Sequence, residues 1–312
     1  MDILRSVDVE RMRALRERGE FFWLDLTDPN GDELATVSSL FDVHALAIED
    51  SHEFGQRAKI DEYEHGSLLV FFGAEPGEHG HPALVEVHLH LSEQALITVR
   101  RVRLTAVDDA ARHLSENPPA HLGEAVHAVL DALTDSLLTA LEGYDDDIDE
   151  LHDAVALQPT PATRRRIFAL RRQLSRLRQV VVPQRDLLAP GGTVLDAVPA
   201  LRGKGSAVSI RDVHDHLDQA TRLLGSYREQ LASLLDLYLA EVSTRLNEFM
   251  RRLSVIATVF LPLSFFVGFF GMNFGWMQDK ITPAWTFFVF GIGLLVASGA
   301  VVAWYLRRTG AR

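Results

Sequence analysis

Cysteine is absent from all 312 residues. That excludes disulfides and thiolate metal sites and fits a reducing compartment for any soluble part. No apolar core segment lies within residues 1–18, where charged and apolar side chains alternate, so a secretory signal is not expected there. Basic residues are outnumbered, 31 Lys and Arg against 43 Asp and Glu, for a net charge of −12. This balance argues against nucleic acid as a partner, because phosphate binding needs a basic face. It suits attraction of cations. A P-loop, a dinucleotide-binding glycine motif and a Ser-His-Asp ordering are also missing, so an enzyme is not expected.

What the chain does have is two uncharged stretches near its end. One runs from Leu253 to Gly271-Met272-Asn273, and the other from Ile281 to Leu306. Each is long enough to cross a hydrocarbon core about 30 Å thick as a helix. Arg245, Arg251 and Arg252 precede the first, Arg307, Arg308 and Arg312 follow the second, and the loop between them holds only Lys280. By the positive-inside rule both termini are cytoplasmic and the loop lies outside.

The rest divides by pattern. Residues 1–120 read as a cytoplasmic α/β domain. Strands are expected at Phe21–Leu26, Leu68–Phe72, Val85–Leu91 and Ala95–Val99, and a helix where Leu34, Val37, Leu40 and Phe41 recur. Residues 121–205 read as a helical hairpin, an acidic helix (Asp145, Asp146, Asp147, Asp149, Glu150) followed by a basic one (Arg164 to Arg178) with complementary faces. Residues 206–252 form a stalk helix continuing into a first span at 253–274; an outside loop at 275–282 and a second span at 283–306 complete the chain. A helix of about 60 residues would extend about 90 Å, and such length suggests oligomeric packing.

Asn247, Met250, Leu253, Ala257, Leu261, Ser264 and Gly268 follow steps of three and four, a period of 3.5 that suits packing around a common axis. A ring of such helices would build an apolar constriction at Met250 and Leu253, and constrictions of this kind gate ions by dewetting. A ring of Asn273 amide oxygens could meet a hydrated cation without stripping its water, which suits Mg²⁺. The competing reading is a plain two-helix anchor. Elsewhere, Glu86, His88 and His90 alternate along one strand face, with His79 and His81 nearby. They could bind zinc or nickel, but the preferred reading is the polar face of a half-buried strand.

The segment from Asn247-Glu248-Phe249-Met250 through Phe260-Leu261-Pro262 to Gly268-Phe269-Phe270-Gly271-Met272-Asn273-Phe274 resembles the CorA family of divalent-cation transporters. So do Phe41-Asp42-Val43-His44, Ile48-Glu49-Asp50, Gln56-Arg57-Ala58-Lys59-Ile60 and Leu234–Leu239. The resemblance implies a funnel-shaped homopentamer in the cell (inner) membrane. It would pass Mg²⁺, and also Co²⁺ or Ni²⁺, down the electrochemical gradient, with Mg²⁺ as transported and regulatory ion and no organic cofactor. Gly271, Met272 and Asn273 would set ion selectivity. It further implies inhibitory metal sites between neighbouring protomers, one from Asp50 and Asp212 and a second drawing on Glu49 and Asp131. Two departures stand out: Phe270 replaces the tyrosine common before Gly-Met-Asn, and the loop 275–280 lacks the family's acidic pattern. The alternatives are a Zn²⁺ transporter resembling ZntB and a non-conducting membrane-anchored cation sensor. Intact Met272 favours the first reading over the zinc transporter, and the continuous small and polar stripe speaks against the sensor.

Overall fold

The structure is a computed structural model describing residues 1–77, 82–191, 197–198, 201, 204–272, 274–276 and 284–308, with backbone alone at 204–205 and 305–308. It divides into two compact units, Met1–Asp236 and Leu237–Arg312.

The first unit is built on a six-stranded sheet: β1 (Asp2–Leu4), β2 (Phe22–Thr27), β3 (Lys59–Tyr63), β4 (Gly66–Glu75), β5 (Ala83–Leu91) and β6 (Ala95–Arg100), in the order β1-β2-β6-β5-β4-β3. The first two junctions are parallel and the rest antiparallel. Parallel neighbours need a crossover, and α1 (Val9–Glu17) supplies it between β1 and β2. Asp8 starts that helix by accepting from Arg11 N at 3.0 Å. A reciprocal capping box between Asn30 and Glu33 starts α2 (Gly31–Phe41), and His44 caps α3 (Ala45–Glu53). Alternation along β2 sends Phe22, Leu24 and Leu26 to one face, where they meet Met12, Leu15, Leu34 and Val37 of α1 and α2.

Trp23 and Asp25 point to the opposite face. There Trp23 Nε1 donates to Thr98 Oγ1 at 2.9 Å, Thr98 donates to Asp25 at 2.7 Å, and Arg100 grips both oxygens of Asp25. Arg100 and Asp25 are 1% and 4% exposed, so this is a buried, paired charge set; Asp108 of α4 (Thr105–Glu116) lies 3.9 Å from Arg100. Gly73 lets α5 (Leu122–Leu157) sit against β4: a Cβ there would come within 2.9 Å of Leu133 and 3.0 Å of Ser136.

The helices α5, α6 (Pro161–Leu187) and α7 (Lys204–Phe270) bury apolar stripes at three- and four-residue steps, such as Ile167, Leu170, Leu174, Leu177 and Val181 of α6. In α7 the buried positions Ile210, Val213, Leu217, Ala220, Leu224, Tyr227, Leu231 and Leu234 keep a strict alternation of three and four. The charged faces of α5 and α6 do not close on each other as expected. Among the described residues only Arg166 bridges them, to Glu150 at 2.7 Å and Asp147 at 3.6 Å. Apolar burial holds the hairpin, and the arginines at 164, 165, 171, 172, 176 and 178 are exposed.

In the second unit, α7 runs on from Leu237 to Phe270. A short helical turn, Ala284–Thr286, leads into a π-helical stretch, Phe287–Gly293, and then α8 (Leu294–Arg308). The described residues contain two helices long and apolar enough to cross a membrane, Ser206–Phe270 and Ala284–Trp304. The second span is thus not uniformly α-helical. Gly291 and Gly293 fall in the wide turns, where a Cβ on Gly293 would approach Phe288 O to 3.3 Å.

Candidate ion pathway and candidate metal sites

An α-helix turns 100° per residue, so Asn247, Met250, Leu253, Ala257, Leu261, Ser264 and Gly268 fall on one side of α7. All seven are exposed, Leu261 at 76%. Val255, Val259, Pro262, Leu263, Phe266 and Phe270 project from the opposite side and are half-covered. The stripe lies within a broad open surface that also includes Ile256, Phe260, Phe265 and Phe269. Gly271 ends the helix: its N–H bonds Val267 O at 3.0 Å, Met272 N–H bonds Phe269 O at 3.3 Å, and a Cβ on Gly271 would sit 3.0 Å from Val267 O. Met272 is partly exposed. Asn273 lies outside the described residues, as do Asp279, Lys280, Arg312, the side chains of Arg307 and Arg308, and both His79 and His81.

The four carboxylates taken from the resemblance separate into two places. Glu49 and Asp50 are on α3, Glu49 exposed and Asp50 half-buried. Lys59 Nζ lies 2.7 Å from Asp50 and 2.6 Å from Asp61, and Gln56 Nε2 donates to Asp50 at 3.1 Å. Burial pushes the Lys59 ammonium down, but the hydrogen bonds to Asp50 and Asp61 outweigh it, so the group titrates above its usual range. Asp50 is thus held by a cation of its own chain. Asp131 and Asp212 come together across α5 and α7, where His127, Asp131 and Asp212 place one ligand atom each within 4.8 Å of the others. A second trio, Asp131, Asp135 and His216, shares Asp131. Among the described residues no such trio includes Glu49 or Asp50. Partial burial and the neighbouring charge of Asp131 raise the Asp135 carboxyl, with His216 pulling it down and Asp212 up.

His127, Asp135 and His216 escaped the reading of the sequence. Their signal was there: His127-x₃-Asp131-x₃-Asp135 and Asp212-x₃-His216 each project from one helical face.

Glu86, His88 and His90 do share a face of β5, but it is not a solvated one. His88 and His90 are 0% and 4% exposed. Ser51 Oγ sits between them, 3.0 Å from His88 Nδ1 and 2.8 Å from His90 Nε2, and His88 Nε2 lies 2.7 Å from Glu86. With Nε2–H of His88 donating to the carboxylate, Nδ1 accepts the Ser51 hydroxyl proton and His90 Nε2–H donates to Ser51 Oγ, so one hydroxyl satisfies both rings. Glu86 also accepts from Gly55 and Gln56 N–H at 2.7 and 3.0 Å. Burial opposes its ionisation, but these bonds and His88 hold its carboxyl below the usual range. Burial, with the neighbouring His88, pushes His90 down to about 3. The face is a buried hydrogen-bonded row bracing α3.

With this geometry in hand, comparison with known proteins is decisive. The family model described as "CorA-like Mg2+ transporter protein" matches residues 18–308. The chain belongs to the CorA-like family. It is 30% identical over 281 residues to the cobalt/magnesium transport protein CorA of Thermotoga maritima, covering 88% of this chain and 79% of that one. It is 26% identical over 255 residues to the zinc transport protein ZntB of Pectobacterium atrosepticum, covering 81% and 76%. The solved structure of the CorA magnesium transporter from Methanocaldococcus jannaschii superposes with a TM-score of 0.80 over 92% of this chain and 90% of that one, at 20% identity, a likeness of fold. The α/β sheet unit, the long helix and the C-terminal apolar helices are therefore a CorA-like fold.

Proposed function

We propose that this CorA-like divalent-cation transporter takes up Mg²⁺ passively through a homopentamer whose pore is lined by the Asn247-to-Gly268 face of α7. The observation that carries this is the family match across residues 18–308, joined to a stripe of 3.5-residue period that is exposed along its length and lies opposite the half-covered positions. Five copies facing one axis would cover it. Met250 and Leu253 would then form stacked apolar collars that must widen and wet before an ion passes. Gly271, Met272 and Asn273 would form the outer ring, where amide oxygens hydrogen-bond to the hydration shell of the entering ion. Internal Mg²⁺ would favour the closed state by bridging Asp50 and Asp212, with Glu49 and Asp131 at a second position, between neighbours. The protein would sit in the cell membrane with both termini in the cytoplasm, residues 1–120, 121–205 and 206–252 forming the internal domain, hairpin and stalk. Family membership supports reading it as a transporter rather than an enzyme.

Zinc transport is the second reading, favoured by the likeness to zinc transport proteins named ZntB. Ion flux into liposomes holding the purified protein separates the possibilities. Mg²⁺ entry that excess Zn²⁺ leaves running supports the magnesium reading, Zn²⁺ entry that Mg²⁺ fails to slow supports the zinc one, and no flux of either supports a sensor.

A further inference from the structure

The seam between α5 and α7 gathers donors that Mg²⁺ does not need. His127, Asp131 and Asp135 stand at i, i+4 and i+8 on α5, and Asp212 and His216 at i and i+4 on α7, so two helical faces converge with imidazole on each. His127 Nε2 is 4.0 Å from Asp212 Oδ2, and His216 Nδ1 is 3.5 Å from Asp131 and 3.6 Å from Asp135. In a zinc site, nitrogen and oxygen ligands sit about 2.0–2.2 Å from the ion. Tetrahedral ligands are then roughly 3.3–3.6 Å apart; the two His216 contacts match this, and the His127–Asp212 pair is a few tenths of an ångström wider. Three of the ligand atoms, His127 Nε2, Asp131 Oδ1 and His216 Nδ1, are shielded from solvent and have no hydrogen-bond partner among the described residues. Buried polar atoms are ordinarily paired, and an orphan of this kind calls for an explanation such as an ion. A single cation would satisfy three orphans pointing into one seam between two carboxylate-bearing helices.

We propose that this seam is an intrachain site for a borderline divalent ion of the Zn²⁺, Co²⁺ and Ni²⁺ class, held by His127 with Asp131 and Asp212 and by His216 with Asp131 and Asp135. The imidazoles set the class. Mg²⁺ favours oxygen ligands in an octahedron and keeps its water, whereas imidazole suits Zn²⁺, Co²⁺ and Ni²⁺. The binding needs neither transport nor the pentamer, because every ligand comes from one chain. It touches the proposed function at one point: Asp131 and Asp212 are also the carboxylates assigned to Mg²⁺ inhibition between protomers. A transition ion in the seam withdraws them from that role.

The test uses full-length, metal-free protein in detergent, with any affinity tag removed, titrated with Co²⁺ and followed by its visible d–d absorption. The parent should give the intensified spectrum of a low-coordinate Co²⁺ ion, Zn²⁺ should displace it, and a large excess of Mg²⁺ should not. His127→Gln/His216→Gln should weaken binding by more than about 100-fold, since loss of supporting groups alone costs 10–100-fold. Glu116→Gln, an exposed carboxylate at the end of α4 and away from the seam, should leave the spectrum unchanged. Unchanged thermal unfolding of the metal-free double variant keeps the result a statement about ligands, and Asp131→Asn serves if the double variant unfolds. A spectrum that survives loss of both histidines, or that Mg²⁺ erases, overturns the proposal. Binding without ion flux would refute the transporter reading alone.

Discussion

Replacing Ser51 by alanine removes one oxygen from the interior and should cost more than its size suggests. Ser51 is 2% exposed, and its hydroxyl is the shared partner of His88 Nδ1 at 3.0 Å and His90 Nε2 at 2.8 Å. Alanine keeps the helix propensity of α3 and nearly the volume, so packing is not the issue. Two ring nitrogens are left unpaired in a fully buried site, and each such orphan costs about 1–3 kcal/mol. The expected loss is therefore about 2–6 kcal/mol. His88 and Glu86 together hold the loop at Gly55 and Gln56, and Gln56 holds Asp50, so the loosened row also frees a proposed sensor carboxylate. The assay is thermal or denaturant unfolding of the full-length protein followed through Trp23, which is wholly buried in the same unit. A change below about 0.5 kcal/mol, the size of an ordinary surface substitution, would refute the reading of this row as a braced network.

Acid should weaken the same unit in a defined window. His90 stays neutral in the fold down to about pH 3 but takes up a proton near 6.5 when unfolded. Stability is thus fully present above 6.5 and falls by about 1.4 kcal/mol per pH unit below it. Glu86 acts in the same direction at lower pH, and His88 and Asp50 are the other charged or titratable groups that His90 feels. His90→Leu should flatten the loss between pH 6.5 and 5, and an unchanged slope would remove His90 as its source. Asp50→Asn or Asp212→Asn should move inhibition of flux to higher internal Mg²⁺ by about 5-fold or more, the usual range of coupling between sites; identical inhibition curves would take both out of the sensor. Leu253→Asp should raise leak at saturating internal Mg²⁺ by about tenfold if hydration of the collar lowers the barrier by ~1.4 kcal/mol, while Val255→Leu, on the half-covered opposite face, should not. An assembled Leu253→Asp variant as closed as the parent would place the gate elsewhere.

The local signals that read well were those with a single physical cause. Apolar runs gave four of the strands, at Phe22–Thr27, Gly66–Glu75, Ala83–Leu91 and Ala95–Arg100, because buried strands need them. Short β1 and the charged β3, Lys59-Ile60-Asp61-Glu62-Tyr63, carry no such run and were silent; they sit at the sheet's two edges. Opposite charge on α5 and α6 suggested paired faces, yet charged faces gain little by leaving water, and apolar stripes decided the packing. The histidines of β5 looked like a polar face because sequence shows alternation but not what covers it; α3 covers it and brings Ser51. The α5–α7 metal seam was hidden for a related reason. Its ligands lie 85 residues apart, from His127 to Asp212, and only the fold joins them. The Asn247-to-Gly268 stripe was legible as a periodic spacing of the kind a shared axis would require, and an ion pathway along it is what we propose.

The most direct measurement of the central claim is Mg²⁺ flux into liposomes carrying either the parent or Asn273→Ala, with oligomer size verified for both. If the outer ring handles the hydrated ion, the parent conducts and the variant, still assembled but lacking an amide oxygen per protomer, loses most or all of its flux. Equal uptake by the two would contradict the proposed ion pathway.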